Sequence, residues 1–251
     1  MVSNLNQQQG FGNLHLAFLA GRLAEYLSAG DLIGHIIDLA ENPSIVRDYE
    51  SAVASVPEWQ TKKFSSLWVF RSFRILLYAL IRDIKPKCVV ETGVLHGMTS
   101  GFILEALALE GTGILTSIDL PSLAESGAAN RDGYDDSLPS GKQPGWIVPS
   151  RLHSHWNLKL GSSRSILPEL CSAGVSIDMF IHDSEHSYSN MWFELTTAWD
   201  AMRQGGILIC DNIEANTAFF DFCRRVGRIP LALPAPTEDR FYAPRFAIII
   251  R

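Results

Sequence analysis

A chain of 251 residues, 47% hydrophobic and 19% charged, is a globular protein long enough for one α/β domain with added helices; it is neither fibrous nor disordered. With 27 acidic against 21 basic side chains its net charge is -6, so it offers no basic field to a nucleic-acid backbone. No apolar run approaches the roughly 18 residues of a membrane span, so neither nucleic acid nor membrane is expected as a partner. The cysteines, Cys88, Cys171, Cys210 and Cys223, are widely spaced, and three lie in or beside apolar runs, which fits a reduced, cytoplasmic protein.

In chain order, the first 84 residues read as a helical cap. Helical periodicity runs over Leu14 to Leu27, Leu32 to Leu39 and Phe64 to Ile81, where Phe73, Leu76, Leu77, Leu80 and Ile81 form one apolar stripe. From residue 85 to 251 the pattern changes to strand, turn and helix, repeated. "KCVVETG" is the first strand, "GMTSGFILEALALEG" a helix closed by Gly111, and "GILTSIDL" the second strand. After a loop come the strand "WNLKLG", a helix from Ser163 to about Cys171, the strand "SIDMFIHD", a helix from Ser187 to Arg203 and the strand "GILICDN". Strands and helices alternating at this spacing predict an α/β fold with a parallel sheet and right-handed crossovers. The end, "GRIPLALPAP" and "RFYAPRFAIIIR", predicts a hairpin that adds an antiparallel strand.

The stretch from Pro121 to His155 has no periodicity and is too long for an ordinary connection, so it is expected to be a functional loop near the active site. Its Trp146 serves either as a ligand contact or as a plug that packs the loop down, the plug being favoured.

In open α/β sheets ligands bind beyond the carboxyl ends of the strands. Here successive strand ends carry Glu91 with Gly93, Gly97, Thr99 and Ser100; Asp119; Gly161 with Ser162 and Ser163; Asp183 to His186; and Asp211 with Asn212. Each has a bland explanation taken singly: a tight turn at Gly93, a helix cap at Ser162 or Ser163, an Asx turn at Asp211. Their coincidence at five consecutive ends points to a site. A dinucleotide is a poor fit, because the turn is Gly93-x-x-x-Gly97 without the G-x-G-x-x-G spacing and Glu91 would repel a diphosphate. Glu91 suits a ligand with a cationic centre and an ammonium group, and Asp119 can accept both hydroxyls of a ribose. An adenosine bearing a sulfonium satisfies both.

"VVETGVLHGMTS", "SIDL", "LKLGSSRSILPEL", "DMFIHDSEHSY" and "GGILICDNI" resemble the successive motifs of class I S-adenosylmethionine-dependent methyltransferases of the metal-dependent O-methyltransferase type. The last two are similar to catechol O-methyltransferase, and the whole is nearer to the bacterial group acting on antibiotic sugars and other natural products. The resemblance implies a Rossmann-like seven-stranded sheet of order 3-2-1-4-5-7-6 with strand 7 antiparallel. It places Glu91 and Gly93 beside the cofactor's methionine part, Asp119 on the ribose and Ser163 with its neighbours Gly161 and Ser162 by the adenine, with Gly97, Thr99, Ser100 and Asp183 also in the cofactor set. It makes Asp183, Asp211 and Asn212 the ligands of Mg²⁺ or another divalent cation, a set of hard oxygen donors. No Cys joins them, which disfavours zinc, although His182 and His186 keep it in view.

His186, three residues after Asp183, stands where catechol O-methyltransferase carries a lysine. An imidazole, with an ordinary pKa of roughly 6.5, can accept the acceptor's proton at neutral pH, so Asp183 and His186 are the expected catalytic pair. Glu185 is the next candidate base, and His182 is expected on the opposite side of its strand. The expected partner is a small-molecule hydroxyl acceptor: a sugar, a catechol-like compound or a natural-product scaffold. The alternatives are methyl transfer without metal, a non-catalytic cofactor-binding subunit and an NAD-linked oxidoreductase. The N-terminal helices either roof the site or provide the face of a homo-oligomer.

Overall fold

A computed structural model describes residues 5–56, 72–120, 138–234 and 244–251. The first half of the helix predicted from Phe64, the loop positions 121–137 and the tip of the terminal hairpin lie outside these residues. Among the described residues the helices α1 (Leu5–Leu27), α2 (Leu32–Glu41), α3 (Ser44–Ala54) and α4 (Ser72–Ile84) come first. The sheet follows, with β1 (Cys88–Thr92), β2 (Ile114–Asp119), β3 (Trp156–Leu160), β4 (Ile177–His182), β5 (Met202–Asp211), β6 (Leu231–Pro234) and β7 (Pro244–Ile250). Its order is β3-β2-β1-β4-β5-β7-β6, parallel except for β7, which runs antiparallel to both β5 and β6. The strand order reverses between β1 and β4, so a crevice opens beyond the ends of those two strands. Crossovers are made by α5 (Met98–Glu110), α6 (Ser163–Ser172) and α7 (Tyr188–Ala201), and α8 (Ala218–Val226) joins β5 to β6.

Period-2 alternation sorts the strand residues onto two apolar layers. Val89, Leu115, Met179, Ile181, Ile207, Ile209, Phe246 and Ile248 pack in one cluster with α1, α2, α4 and α5. Val90, Ile118, Phe180, Leu208, Cys210, Ala247 and Ile249 pack in another with α6, α7 and α8. The helical cap thus shares its core with one face of the sheet. By the same alternation Glu91, Ser117, Asp119, Asp183 and Asp211 belong to the cap-side face and Thr92 and His182 to the other. The central helix α5 is buried from Met98 to Leu107, which explains an apolar composition without a polar stripe, and left-handed Gly97 and Gly111 bound it.

Two features differ from the sequence-based expectation. The helix predicted to reach Arg203 ends at Ala201, and β5 starts at Met202. Gly205 takes φ +73°, and the β4–β5 register slips from Ile177↔Met202 to Met179↔Ile207, so a bulge absorbs the extra residues. Helices α3 and α8 were not anticipated. The second is short, but Gly227 closes it in the left-handed conformation that a stop signal demands.

Helix α3 reaches the start of α5 through Tyr49, whose buried hydroxyl donates to Met98 O at 2.9 Å and Gly97 O at 3.2 Å. This closeness is possible because α5 has a glycine at position 101, where a Cβ would stand 1.7 Å from the Tyr49 oxygen. In an ordinary helix Gly→Ala gains about 1 kcal/mol. Gly101→Ala is expected to do the reverse, lowering the urea midpoint by an amount equivalent to about 1–3 kcal/mol of overpacking.

Candidate active site

The turn after β1 organises the site. Gly93 has φ +86°, and a Cβ there would lie 2.0 Å from the backbone oxygen of Asp183; Gly97 has φ +92°, with Gly145 Cα 2.8 Å from its would-be Cβ. Both positions demand glycine for conformation and for space. The Asp119 carboxylate braces this turn. Oδ2 accepts from Val94 N at 2.9 Å and Leu95 N at 2.7 Å, while Oδ1 accepts from Leu120 N at 2.7 Å. Burial raises its pKa against the lowering effect of those three amides. Gly161 is brought beside it, donating to Asp119 O at 2.7 Å. The predicted ribose acid is therefore placed at the crevice, with most of its acceptor capacity already used by backbone.

Glu91 is fully buried below the turn. Its Oε2 accepts from Ser100 Oγ at 2.6 Å and Ser117 Oγ at 2.7 Å, while Oε1 has no hydrogen-bond partner among the described residues. Burial pushes the carboxyl up to about 7 despite the two hydroxyls. Ser100 is thus occupied with Glu91. Thr99 accepts from Arg74 Nε at 3.2 Å, so both hydroxyls predicted for the cofactor serve residues around it. Ser162 caps α6, its Oγ accepting from Arg164 N at 3.3 Å, and Ser163 is the first residue of that helix.

Asp183 and Asp211 follow the paired residues His182↔Cys210 at the tips of β4 and β5 and share the cap-side face. Burial, and then the charge of Asp211, hold the Asp183 carboxyl well above the usual carboxylate range, while His186 acts in the opposite sense. Asp211 Oδ1 and Asn212 Oδ1 are buried with no hydrogen-bond partner among the described residues. Asn212 takes φ +49°, a left-handed conformation that Asn tolerates better than most residues. Two of the three predicted metal ligands therefore present orphaned acceptor oxygens, and the third is a carboxyl pressed by its neighbour. Such a donor set fits a hard divalent cation. Among the described residues no group of three or more His, Cys, Asp or Glu could hold a metal ion, so any such site depends on the Asn212 amide.

His186 lies near Asp183, and its ring meets the His182 ring edge to face, centroids 5.4 Å apart. Asn216 Nδ2 fixes its backbone by donating to His186 O at 2.7 Å. His182 is fully buried on the far side of β4, as alternation requires, with Nδ1 2.7 Å from Glu194 Oε2. Burial alone would raise the Glu194 carboxyl, but hydrogen bonds from His182, Ser163 and Thr92 outweigh it and pull it down to about 2. Trp146 acts as the plug: its Nε1 donates to His96 Nδ1 at 2.9 Å, and it packs against Val53 and Val56 of the α3 end. Gly145 N to Leu95 O at 2.7 Å ties the same loop to the glycine turn.

Sequence reasoning passed over Arg74, Tyr49 and Glu194. Arg74 is a buried cation whose charge acts on Glu91, Asp183 and Tyr49 from the first turn of α4. The signal for it was an arginine inside an apolar stripe; for Glu194 it was an acid on the same side of α7 as Met191, Leu195 and Ala198.

Residues 90–213 match the sequence profile of a methyltransferase-domain family. No curated protein sequence matches the chain. Among solved structures, the chain is similar to an O-methyltransferase from Bacillus cereus in complex with S-adenosylhomocysteine, at 14% identity and TM-score 0.54, covering 84% of this chain and 91% of that one. The O-methyltransferase TomG from Streptomyces achromogenes, involved in tomaymycin synthesis and bound to S-adenosylmethionine, aligns at 16% identity and TM-score 0.54 over 81% of this chain and 88% of its own. A methyltransferase from Podospora anserina bound to S-adenosylhomocysteine gives 16% identity and TM-score 0.52, over 82% and 86%. The chain therefore carries the fold of these O-methyltransferases, with the sheet order that the resemblance implied.

Buried Glu91 has a pH signature. Folded Glu91 keeps its proton up to about pH 7, whereas an unfolded Glu releases it near roughly 4.3. The folded state therefore loses stability as pH rises between those values, and the full cost stands above them. Glu91→Gln, which retains an acceptor for both serines, is expected to melt progressively higher than the wild type as pH goes from 5 to 8. Calorimetric melting across that range checks it; parallel curves would contradict the raised carboxyl.

Proposed function

We propose that this chain is an S-adenosylmethionine-dependent O-methyltransferase that methylates a hydroxyl of a small molecule with help from a divalent cation, Mg²⁺ in the first place. The observation that carries the metal part is the pair of orphaned buried oxygens, Asp211 Oδ1 and Asn212 Oδ1, beside the pressed carboxyl of Asp183. Unpaired buried acceptors are costly, and a cation is the ligand that would satisfy all three groups at once.

In this reading each residue has a task. Glu91, with its bare Oε1, receives the ammonium of the cofactor, and the Gly93–Gly97 turn admits the methionine part against the backbone. Asp119 offers its remaining acceptor capacity to the ribose, and Gly161 to Ser163 border the adenine. Asp183, Asp211 and Asn212 would hold the cation, which when bound supplies Lewis acidity to the acceptor hydroxyl. His186, next to Asp183, takes the hydroxyl proton, and Glu185 is the alternative base. Arg74 offsets part of the acidic charge, and the α3 and α4 residues, held against the turn through Tyr49 and Thr99, border the acceptor space. Alignment of oxygen, methyl carbon and sulfur supplies much of the remaining rate.

The acceptor class is a sugar, catechol-like or natural-product hydroxyl; the tomaymycin-pathway neighbour supports the natural-product choice. The unpaired cysteines support a reducing, cytoplasmic setting, and no helix among the described residues is long and apolar enough to cross a membrane. A second reading, methyl transfer without metal or cofactor binding without catalysis, is favoured by the lack of a three-member cluster of the usual ligand types among the described residues.

One set of measurements separates these readings. Asp183→Asn and Asp211→Asn are expected to lower turnover at least 100-fold while S-adenosylhomocysteine affinity, read by titration calorimetry, stays within about threefold; chelator should have the same effect on the wild type. Turnover indifferent to chelator and to both substitutions would remove the metal. Asp119→Ala should weaken the nucleoside at least tenfold, and an unchanged dissociation constant would remove the ribose assignment.

A further inference from the structure

Glu194 stands in the second turn of α7, wholly buried behind β4, and takes no part in the chemistry proposed above. Its Oε2 accepts from Thr92 Oγ1 at 2.6 Å, from His182 Nδ1 at 2.7 Å and from Ser184 Oγ at 2.9 Å. Its Oε1 accepts from Ser184 Oγ at 2.9 Å and from Asn190 Nδ2 at 3.1 Å. A carboxylate has about four lone-pair sites, so the group is saturated.

The donors are not a random selection. His182 is the residue before Asp183 and Ser184 the residue after it. Thr92 is the strand residue whose carbonyl accepts from Asp183 N at 2.9 Å. Next along β1 is Gly93, whose missing Cβ leaves room for the Asp183 carbonyl. Each backbone segment that bounds Asp183 is thus tied by a side chain to one carboxylate on the opposite side of the sheet. Asn190 adds the start of α7, donating also to Ser184 Oγ at 3.0 Å and to Glu185 O at 3.1 Å, so the loop that carries His186 is held by the same centre.

We propose that Glu194 is a positioning residue that sets the backbone of Asp183, and through it the aim of the Asp183 carboxylate at the divalent-cation site. This rests on the metal reading of Asp183 given above. The chain needs an acid at position 194, because an amide would turn one of its two heteroatoms into a donor facing a donor. With the nitrogen at the Oε2 place Thr92 and His182 lose their acceptor, and at the Oε1 place it meets the Asn190 amide, donor to donor, so the support behind the β4 tip is weakened either way. Outer partners of this kind, which orient a ligand without touching the ion, typically change metal affinity by 10–100-fold when removed.

The test uses the full chain and Mn²⁺ as a paramagnetic probe, titrated in the absence of acceptor. Glu194→Gln, folded by near-ultraviolet dichroism, is expected to bind Mn²⁺ 10–100-fold more weakly while S-adenosylhomocysteine affinity moves less than about threefold. Its turnover should recover to within a few-fold of wild type as Mg²⁺ is raised, a rescue that general loosening of the fold would not give. Ser184→Ala, a milder change at a half-buried position, is expected to weaken Mn²⁺ about 3–10-fold, and it decides the matter if Glu194→Gln does not fold. Wild-type Mn²⁺ affinity in Glu194→Gln, or in Ser184→Ala where that variant decides, alongside its loss in Asp183→Asn, overturns the positioning role alone. Wild-type affinity in Asp183→Asn overturns the metal reading, and this inference falls with it.

Discussion

Two carboxylates, Asp183 and Asp211, are held side by side at adjacent strand tips where water is scarce, and the rest of the site is arranged around that repulsion. Their spacing follows from the parallel register His182↔Cys210, which brings the next residue of each strand to the same edge and the same face. Like charges in a low-dielectric enclosure oppose joint ionisation, and the raised Asp183 carboxyl is the expression of that conflict. A fold gains nothing from such an arrangement unless something positive enters. Arg74, itself buried, supplies part of the compensation from the cap side, and the orphaned oxygens of Asp211 and Asn212 show where more is wanted.

The two faces of the sheet divide the labour. On the cap side lie the groups proposed to meet ligands: Glu91, Asp119, Asp183 and Asp211. On the other side lies the polar centre at Glu194, which touches no proposed ligand and ties together β1, β4, α6 and α7. Separating them by the thickness of one sheet lets the first group stay electrostatically frustrated while the Glu194 carboxylate is saturated. In the positioning role proposed for Glu194, rigid support from a saturated hydrogen-bond centre would keep the frustrated carboxyls from relaxing apart.

Much of this was legible in the sequence, because strand alternation and glycine-bounded turns are local signals. The parallel core from Cys88 onward, the glycine turn and the polar strand ends could all be read from periodicity and spacing, and family resemblance supplied the strand order. What could not be read were contacts between segments distant in the chain. Thr99 and Ser100 looked like ligand contacts, yet their hydroxyls meet Arg74 and Glu91, residues brought close only by folding. Glu194 is 102 positions from Thr92, and no local pattern joins them. The β5 start was misplaced because a helical apolar face continues through Met202 into the strand, where the same residue stays buried in the same cluster.

The tyrosine clasp between α3 and α5 has a kinetic consequence. The Tyr49 hydroxyl holds the carbonyls of Gly97 and Met98, so the cap cannot swing outward without loosening the turn that would seat the nucleoside. In the proposed function, entry of the acceptor and retention of the methyl donor would then be opposed events: whatever opens the roof also weakens the floor. Such a machine would favour donor first and acceptor second, with departure in the reverse sequence, because only a seated donor can brace the turn while the roof moves.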